Sequence, residues 1–388
     1  MLLVDDAILA LQNLAKGVYA EWGKPIIAVT GSAGKTTAKT LAAHVLSSKY
    51  KVLTNIKNYN NGLGLPLTVL RILSEPAYDV AVLEMGMSTP HREIARLCEI
   101  APPDVAVELN VLPVHIEHLG SIEAIAKAKA ELVEGMKSGG TAVLNADDFR
   151  VFAMRDLHDG RNLTYGIDVG SDVMAKNIRF DRFGETIFTL RLPEDSAEVA
   201  FPLNGKHNIL NALAAAAVGY SFGMSAAEIA ARLRTAYAPA QRGEILHFAE
   251  GFTVINDSYN SNPDALLSMV ETLTTGGKTA PRRIVVAGEM RELGQESKEI
   301  HRETGKKIAA YHIDRLFGVE GDAFELVEGA RENGLTDVTF YKNSEIAGDE
   351  LLKEVRPGDL ILVKGSRGVK TEKIIEQLMT NYELENNE

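Results

Sequence analysis

The chain has few of the features that mark secreted, membrane or disulfide-bonded proteins. Cys98 is its only cysteine, which excludes an intramolecular disulfide or a multi-cysteine zinc site and predicts a small buried apolar side chain. No apolar run approaches membrane-spanning length, and Asp5 and Asp6 stand where a signal peptide would carry basic residues. We therefore predict a cytoplasmic protein without membrane insertion.

Positive charge is also scarce. The chain has 41 Lys and Arg against 53 Asp and Glu, a formal net charge of −12. This balance excludes the broad basic surface of a nucleic-acid-binding protein, so any phosphate ligand must be held by local geometry. Hydrophobic residues make up 45% and charged residues 24%, as in ordinary packed proteins. The length of 388 residues predicts two or three domains, each with its own core.

Short β-branched runs alternate with helical patterns along the first half of the chain, which predicts an α/β fold with a mainly parallel sheet. We expect a helix over 38–48 with one apolar face. Strands are expected at 25–30, 79–83, 104–107 and 141–144. Polar or acidic residues follow these strands, at the sheet edge where ligands bind in such folds.

The pattern changes after residue 161. Alternating residues and frequent Gly and Asp predict a small antiparallel section over 162–203, followed by an Ala-rich helix over 208–222. Residues 237–243 are predicted to be a linker. Beyond it we expect a second, doubly wound unit. Its strands are FTVIND, RRIVVAG and DLILVKG, and its helices lie near 263–275, 298–311 and 344–354.

The segment AVTGSAGKTT follows a predicted strand and opens a predicted helix, which is the context of a phosphate-binding loop. Backbone N–H groups of the turn can surround phosphate oxygens, Lys35 can reach the β and γ phosphates, and Thr36 can bind Mg2+. Val29 replaces the first glycine of the full motif, which leaves the shorter T-G-x-x-G-K-T form. The alternative is an ordinary strand-to-helix turn with a solvated lysine. It explains less well why the strand, the turn, Lys35 and the pair Thr36–Thr37 follow one another in this order.

A second metal contact is expected from an acid at the end of a strand. VAVLEMG places Glu84 at such an end, directly after four apolar residues. In a chain with a phosphate-binding loop, this position favours a Mg2+ ligand over a purely structural carboxylate.

A series of strings along the chain resembles the motifs of the Mur ligases, in the same order. They are TGSAGKTT, NYNNGLGLPLTVL, LEMG, HIEHLGSIEAIAKAKAEL, LNADD, GKHNILNALAA, NDSYNSNP, GEMRELG and LVKGSRG. The resemblance runs from about Lys24 to the C-terminus, and the strings DSYNSNP, GEMRELG and VKGSR favour the MurF branch.

The resemblance implies an ATP-dependent ligation of a carboxylate to an amine in peptidoglycan precursor synthesis. The carboxylate of UDP-N-acetylmuramoyl-tripeptide would take the γ-phosphoryl group as an acyl phosphate, and the amine of D-alanyl-D-alanine would displace phosphate. Because two anions must meet, such a site needs cations that do not themselves react. ATP and two Mg2+ ions are the implied cofactors, the partners are small molecules, and a monomer is expected.

The resemblance also implies four catalytic residues: Lys35, Glu84, His115 and Lys129. Thr36, Glu84 and His115 would bind Mg2+, although imidazole is a less usual ligand for this ion. Lys129, rather than its neighbour Lys127, would be carbamylated by CO2 and bind the second ion. Without the resemblance, both lysines would be interpreted as solvated helix residues.

The implied nucleotide contacts lie in three parts of the chain. They are Gly31, Ser32, Ala33, Gly34, Lys35, Thr36 and Thr37 in the loop, Asn208 in GKHNILN, and Arg242 and Asp257 near the linker. Asn208 would contact adenine, and it could also be a helix N-cap. Arg242 would reach the phosphates, and its alternative is a solvated linker charge.

The implied substrate contacts fall in two groups. They are Asn58, Asn60 and Asn61 for the sugar-peptide, and Ser258, Tyr259, Asn260, Asn262, Lys364 and Arg367 for the peptide and D-alanyl-D-alanine. Asparagines in a Gly-rich loop are equally often turn formers. Lys364 and Arg367 follow the strand LILV, where two cations could bind a substrate carboxylate.

The implied architecture is a P-loop-type central ATPase domain over 24–238 and a C-terminal Rossmann-like domain over 239–388. Family members carry a UDP-binding domain before the phosphate-loop strand, and residues 1–23 resemble only the helix that enters the central domain. A truncation, a partner protein or an altered substrate would each explain this difference. Two other functions remain open: another amide ligase of the superfamily, such as a polyglutamate-adding one, or a catalytically idle nucleotide-binding protein.

Overall fold

The structure is a computed structural model that describes residues 3–56, 58–74, 78–87, 91–113, 119–182 and 185–385. The chain folds into two compact units. The first comprises Met1–Arg179, Ile187–Pro202 and Lys206–Ala236, and the second Phe180–Thr186, Leu203–Gly205 and Tyr237–Glu388. The domain limits expected at residues 23 and 238 stay predictions.

The N-terminal part of the chain forms a sheet with the strand order β2-β3-β1-β4-β5-β6-β7-β8-β9. Its strands are β1 (Ile26–Thr30), β2 (Val52–Thr54), β3 (Val80–Glu84), β4 (Val105–Glu108), β5 (Thr141–Asn145), β6 (Arg161–Gly166), β7 (Val173–Arg182), β8 (Glu185–Arg191) and β9 (Ser196–Phe201). Its helices are α1 (Ala7–Trp22), α2 (Lys35–Leu46), α3 (Gly64–Leu70), α4 (Glu93–Ile100), α5 (Ile122–Glu134), α6 (Phe149–Phe152), α7 (Lys206–Ser221) and α8 (Ala226–Arg234).

The strands from β2 to β6 are parallel, and every residue of β1 is buried. On one face, Ala28 of β1 and Ala106 of β4 pack in a cluster with Leu132 of α5. Successive residues of a strand point to opposite faces, so both faces of β1 need a covering layer. This burial explains the uninterrupted apolar sequence of the strand, and it places the C-terminal ends of β1, β3 and β4 side by side.

Two sequence-based expectations need correction here. The helix expected from residue 38 begins at Lys35, because Gly34 adopts a left-handed conformation (φ 83°) and the chain becomes helical directly after it. The antiparallel section expected from residue 162 begins later, because β6 pairs in parallel with β5. Residues 192–195 alone join β8 to β9, a connection too short for parallel neighbours.

The second unit contains a sheet with the order β10-β11-β15-β12-β13-β14, parallel except for the pair β10–β11. Its strands are β10 (Glu244–His247), β11 (Thr253–Asp257), β12 (Arg282–Gly288), β13 (Arg315–Val319), β14 (Val338–Tyr341) and β15 (Asp359–Lys364). Its helices are α9 (Pro263–Gly276), α10 (Ser297–Ala309), α11 (Ala323–Glu332), α12 (Ser344–Glu354) and α13 (Glu372–Asn381). The expected α/β class with mainly parallel sheets is confirmed.

Two expectations from the amino-acid composition, one on Cys98 and one on membrane-spanning segments, can be compared with the structure. Cys98 is buried, as expected, and burial raises the pKa of its thiol to about 12. Among the described residues, no helix is both long enough and apolar enough to cross a membrane.

Candidate active site

The loop between β1 and α2 is held by the segment that follows β4. Asn110 accepts a hydrogen bond from the backbone N–H of Ala33 at 2.8 Å and donates one to the Ala33 carbonyl at 3.1 Å. No side chain in the described part of the chain caps the N-terminus of α2. A helix start of this kind directs backbone N–H groups at a bound anion. Asn110, which the sequence analysis did not single out, therefore fixes the loop from the segment that follows β4.

Lys35 is the first residue of α2, and its ammonium lies over the loop. It donates hydrogen bonds to the carbonyls of Gly31 at 2.8 Å and Ser32 at 3.2 Å. At Gly34 the left-handed backbone is accompanied by close packing: an added Cβ would lie 2.5 Å from Oδ1 of Asn211. Glycine is thus required here by both conformation and space.

The carboxylate of Glu84 ends β3 and lies next to α2. Its Oε2 accepts a hydrogen bond from the hydroxyl of Thr36, and its Oε1 accepts one from Nδ2 of Asn60, each at 2.8 Å. The residue is 4% exposed. The structure therefore brings together Thr36, Glu84 and Asn60, which are far apart in sequence.

Asn55, which the sequence analysis missed, fixes the backbone of Glu84. Its Nδ2 donates to the Glu84 carbonyl at 2.8 Å, and its Oδ1 accepts from the Glu84 N–H at 2.9 Å. Lys39, itself buried, donates to the Asn55 carbonyl at 3.0 Å. Only the pairing of β2 with β3 reveals this arrangement. An Asn that follows a three-residue strand is too weak a sequence signal to predict it.

The two lysines of α5 differ in environment. Lys127 is exposed, whereas Lys129 is 3% exposed. Burial, reinforced by the positive charge of Lys35, lowers the pKa of Lys129 to about 7, and Glu108 opposes that shift. His115, the remaining expected catalytic residue, lies outside the described residues.

Glu108 at the end of β4 is a second buried acid that the sequence analysis missed. It is fully buried, and neither of its carboxyl oxygens has a hydrogen-bond partner among the described residues. Burial raises its pKa well above the ordinary range, and Lys129 is the charged group that most opposes this shift. A strand ending in an acid, the signal used for Glu84, is also present in VAVELN.

The remaining asparagines of the first unit have different surroundings. Asn58 is exposed, whereas Oδ1 of Asn61 accepts from the N–H groups of Leu63 and Gly64 at 3.2 and 2.9 Å. Asn61 is thus a turn former at the start of α3. Asn208 is buried and is the third residue of α7, because this helix begins at Lys206. The alternative interpretation of Asn208 as an N-cap is therefore wrong.

In the second unit, an ion pair joins the ends of neighbouring strands. Asp257 ends β11, Lys364 ends β15, and the two residues are register partners. Nζ of Lys364 lies 2.5 Å from Oδ2 of Asp257 and donates to the Asn260 carbonyl at 2.9 Å. Lys364 is buried, whereas Arg367 is exposed, so the two cations do not share one environment.

The ring of Tyr259, two residues after Asp257, lies close to two arginines. The guanidinium of Arg242 is 3.8 Å from the ring centroid of Tyr259, and that of Arg367 is 5.6 Å from it. Such stacking orients a guanidinium without neutralising its charge. Two other expected substrate contacts have structural bonds: Ser258 donates to Oδ1 of Asn256 at 2.7 Å, and Asn262 caps α9.

The donor set around Glu84 fits magnesium. A hydroxyl and a carboxylate are the hard oxygen ligands that this ion prefers, and the remaining positions are commonly filled by water and phosphate. Among the described residues, no group of three or more His, Cys, Asp or Glu could hold a metal by itself. The described oxygen donors next to the loop are the hydroxyl of Thr36 and the carboxylate of Glu84.

Comparisons with known proteins agree with this arrangement. Residues 29–219 match the Mur ligase middle domain, and residues 241–367 match the Mur ligase, glutamate ligase domain. The UDP-N-acetylmuramoyl-tripeptide–D-alanyl-D-alanine ligase of Bacillus subtilis is 36% identical over 98% of this chain and 81% of its own length.

Two solved structures are similar over nearly the whole chain. MurF from Acinetobacter baumannii superposes with a TM-score of 0.87 at 28% identity, covering 98% of this chain and 82% of its own. MurF ligase from Thermotoga maritima, solved in complex with ADP, gives a TM-score of 0.86 at 28% identity, covering 98% and 85%. The expected resemblance is thereby confirmed: the chain belongs to the MurF branch of the Mur ligase family.

Proposed function

We propose that this chain is an ATP-dependent, ADP-forming ligase that adds D-alanyl-D-alanine to UDP-N-acetylmuramoyl-tripeptide, as a cytoplasmic monomer. The observation that carries the proposal is the juxtaposition of Lys35, Thr36 and Glu84 at the phosphate-type loop. The acceptor is taken from the relatives' names, which apply to proteins up to 37% identical to this chain.

The phosphoryl half of the reaction belongs to the first unit. The N-terminus of α2 and the loop Gly31–Thr37 bind the β and γ phosphates through backbone N–H groups. The ammonium of Lys35 neutralises charge as the substrate carboxylate attacks the γ phosphorus and ADP leaves. An acyl phosphate is the product of this step. Asn208 is the proposed adenine contact, and Arg242 and Asp257 are the proposed nucleotide contacts of the second unit.

Thr36 and Glu84 would hold Mg2+, which when bound supplies charge neutralisation for the phosphates. The hydrogen bond from Asn60 fixes one oxygen of Glu84 and so orients the carboxylate. Asn58 and Asn61 remain proposed contacts of the sugar-peptide. His115 and carbamylated Lys129 are the proposed ligands of a second ion.

The environment of Lys129 supports carbamylation. Only a neutral amine reacts with CO2, and a pKa of about 7 leaves a large neutral fraction at neutral pH. The reaction would turn a buried amine into a carboxylate, the ligand type that Mg2+ prefers. Lys127, by contrast, is exposed to solvent.

The amine half of the reaction is assigned to the second unit. The dipeptide amine attacks the acyl carbon, phosphate leaves with the bonding electron pair, and the attacking nitrogen loses a proton. The proposed contacts of the dipeptide and of the peptide are Ser258, Tyr259, Asn260, Asn262, Lys364 and Arg367. The guanidinium groups of Arg242 and Arg367 lie 3.8 and 5.6 Å from the ring centroid of Tyr259, an arrangement that supports binding of anionic substrates.

The test is phosphate release from ATP by the purified chain. We expect release only with both UDP-N-acetylmuramoyl-tripeptide and D-alanyl-D-alanine present, and loss of release in Lys129→Ala but not in the matched control Lys127→Ala. Turnover with glutamate in place of the dipeptide would favour a polyglutamate-type ligase. ATP binding without acceptor-dependent turnover would contradict ligase function altogether.

A further inference from the structure

The string LNADD covers the end of β5 and the turn that follows it, and the proposed reaction uses none of its side chains. Its last residue, Asp148, is half-buried and accepts hydrogen bonds from three backbone N–H groups. Oδ1 accepts from Arg150 at 2.9 Å and from Val151 at 3.2 Å, which makes Asp148 the N-cap of α6. Oδ2 accepts from Val111 at 2.8 Å. The bond to Val111 is not part of helix capping, so it needs a separate explanation.

Val111 lies in the segment 109–112, which follows β4 and runs beside the phosphate-type loop. Asn110 binds both backbone groups of Ala33 through its side chain, and its carbonyl accepts from the N–H of Ser32 at 2.9 Å. The N–H of Leu112 donates to the hydroxyl oxygen of Ser32 at 2.9 Å, and this hydroxyl donates to the Leu112 carbonyl at 3.1 Å. Five hydrogen bonds therefore join the segment to two residues of the loop.

The string LNADD holds this segment at two points. Nδ2 of Asn145 donates to the carbonyl of Leu109 at 2.8 Å, and Asp148 accepts the N–H of Val111. Residues 109–112 form neither helix nor strand, so side chains must pair backbone groups that a regular element would pair. The loop also packs closely on the segment, since an added Cβ on Gly31 would lie 2.7 Å from Cβ of Leu109. A displacement of the segment would therefore displace the loop.

We infer that Asp148 is a positioning residue for the phosphate-type loop, an inference that rests on the proposed function. By holding Val111, Asp148 keeps the segment 109–112 against the loop and so keeps the start of α2 in its phosphate-binding position. N–H groups that converge on one point repel each other until an anion binds, and such an arrangement must be held by its surroundings. A loop that is only partly in the competent position binds its ligand more weakly in proportion.

The choice of residue type at position 148 agrees with this role. Asn, Asp and Ser are similarly good helix N-caps, so capping α6 alone does not require an acid. A carboxylate offers an acceptor oxygen on each branch, whereas asparagine carries a donor on the second branch and serine has a single oxygen. Asp148→Asn and Asp148→Ser should therefore both keep the cap and lose the bond to Val111, by two different routes.

The experiment measures the Kd of ATP for the full chain in the presence of Mg2+, by titration calorimetry. Loss of one such hydrogen bond changes an equilibrium by about tenfold, so we expect the Kd of ATP to rise about tenfold in both variants at position 148. The matched control is Asp104→Asn. Asp104 accepts from the N–H of Ile26 at the opposite end of β1 and forms an ion pair with Lys137. Its loss should destabilise the first unit in urea unfolding and leave the Kd of ATP unchanged.

A second measurement separates positioning from general stability. Asn110→Ala breaks the link between the segment and the loop, so the effect of Asp148→Asn on the Kd of ATP should shrink to less than about threefold in that background. An unchanged Kd in Asp148→Asn would overturn the inference, as would a full tenfold effect in the Asn110→Ala background. Failure of the proposed function is distinguishable. An unmodified chain that binds ATP without acceptor-dependent turnover would contradict the ligase reaction, whereas the comparison of Kd values would still decide the role of Asp148.

Discussion

Gly34 offers a quantitative test of the geometry of the phosphate-type loop. An alanine there would occupy a left-handed backbone conformation (φ 83°), which costs a residue with a Cβ about 1–2 kcal/mol. The new methyl would also lie 2.5 Å from Oδ1 of buried Asn211, and overpacking of this kind costs about 1–3 kcal/mol. We therefore expect Gly34→Ala to lower the free energy of unfolding by about 2–5 kcal/mol.

Two other glycines of the first unit separate these causes. Gly223 has a similar φ of 75° but open space around its added Cβ, so Gly223→Ala should show only the conformational cost of about 1–2 kcal/mol. Gly17 lies within α1 with nothing within 4 Å of its added Cβ, so Gly17→Ala should stabilise the protein by about 0.5–1 kcal/mol. In an Asn211→Ala background, the extra cost of Gly34→Ala should fall to that of Gly223→Ala.

The assay is urea unfolding followed by tryptophan fluorescence. Trp22 is the only tryptophan and lies in α1, so its emission reports the first unit. Binding of ATP should weaken about tenfold or more in Gly34→Ala, because the start of α2 moves with the loop. The reasoning would be refuted if Gly34→Ala were no more destabilising than Gly223→Ala, or if the Asn211→Ala background made no difference.

Three further predictions concern buried polar groups. Asn55→Ala should lower the free energy of unfolding by about 2–3 kcal/mol and reduce turnover, since it leaves the Glu84 backbone unpaired in a buried site; urea unfolding and steady-state kinetics check both effects. At a fixed concentration of dissolved CO2, the carbamate proposed at Lys129 should decrease as pH falls through about 7, because the ammonium form does not react; a flat profile in 13C NMR would contradict the lowered pKa. Asp359→Ala should destabilise the second unit by about 3 kcal/mol in calorimetry, because it leaves the guanidinium of Arg282, bound at 2.6 and 2.9 Å, without its buried partner.

Local sequence patterns were enough to predict the phosphate-type loop and the acid Glu84 at the end of β3. The string TGSAGKTT predicts a phosphate-binding turn because glycines, a lysine and a helix start coincide, and VAVLEMG places Glu84 at a strand end. The same reasoning applies to VAVELN, but the strand was expected to end at residue 107, and Glu108 was therefore overlooked. Because the predicted strand ended one residue too early, Glu108 was not recognised as an acid at a strand end. Its importance also depends on its position next to β1, which the sequence alone does not give.

Other parts of the site depend on tertiary packing and could not be predicted from local patterns. Lys127 and Lys129 stand two residues apart in an alternating sequence, and only the packing of α5 shows which of them is buried. Asn55 and Asn110 act through hydrogen bonds to residues far away in sequence. For Lys129, only the family resemblance distinguished the two lysines at the sequence level.

The negative net charge of the chain can now be related to particular residues of the candidate site. A chain with a net charge of −12 binds anions only where cations are placed locally, and Lys35 stands at the start of α2 for this purpose. The charge of Lys35 also acts on two buried groups, Glu108 and Lys129. Burial raises the pKa of Glu108 and lowers the pKa of Lys129, so each shift favours the neutral form. The apolar layers on both faces of β1 stabilise the neighbouring strand ends, and this packing offsets the cost of the buried, unpartnered carboxyl of Glu108 among the described residues.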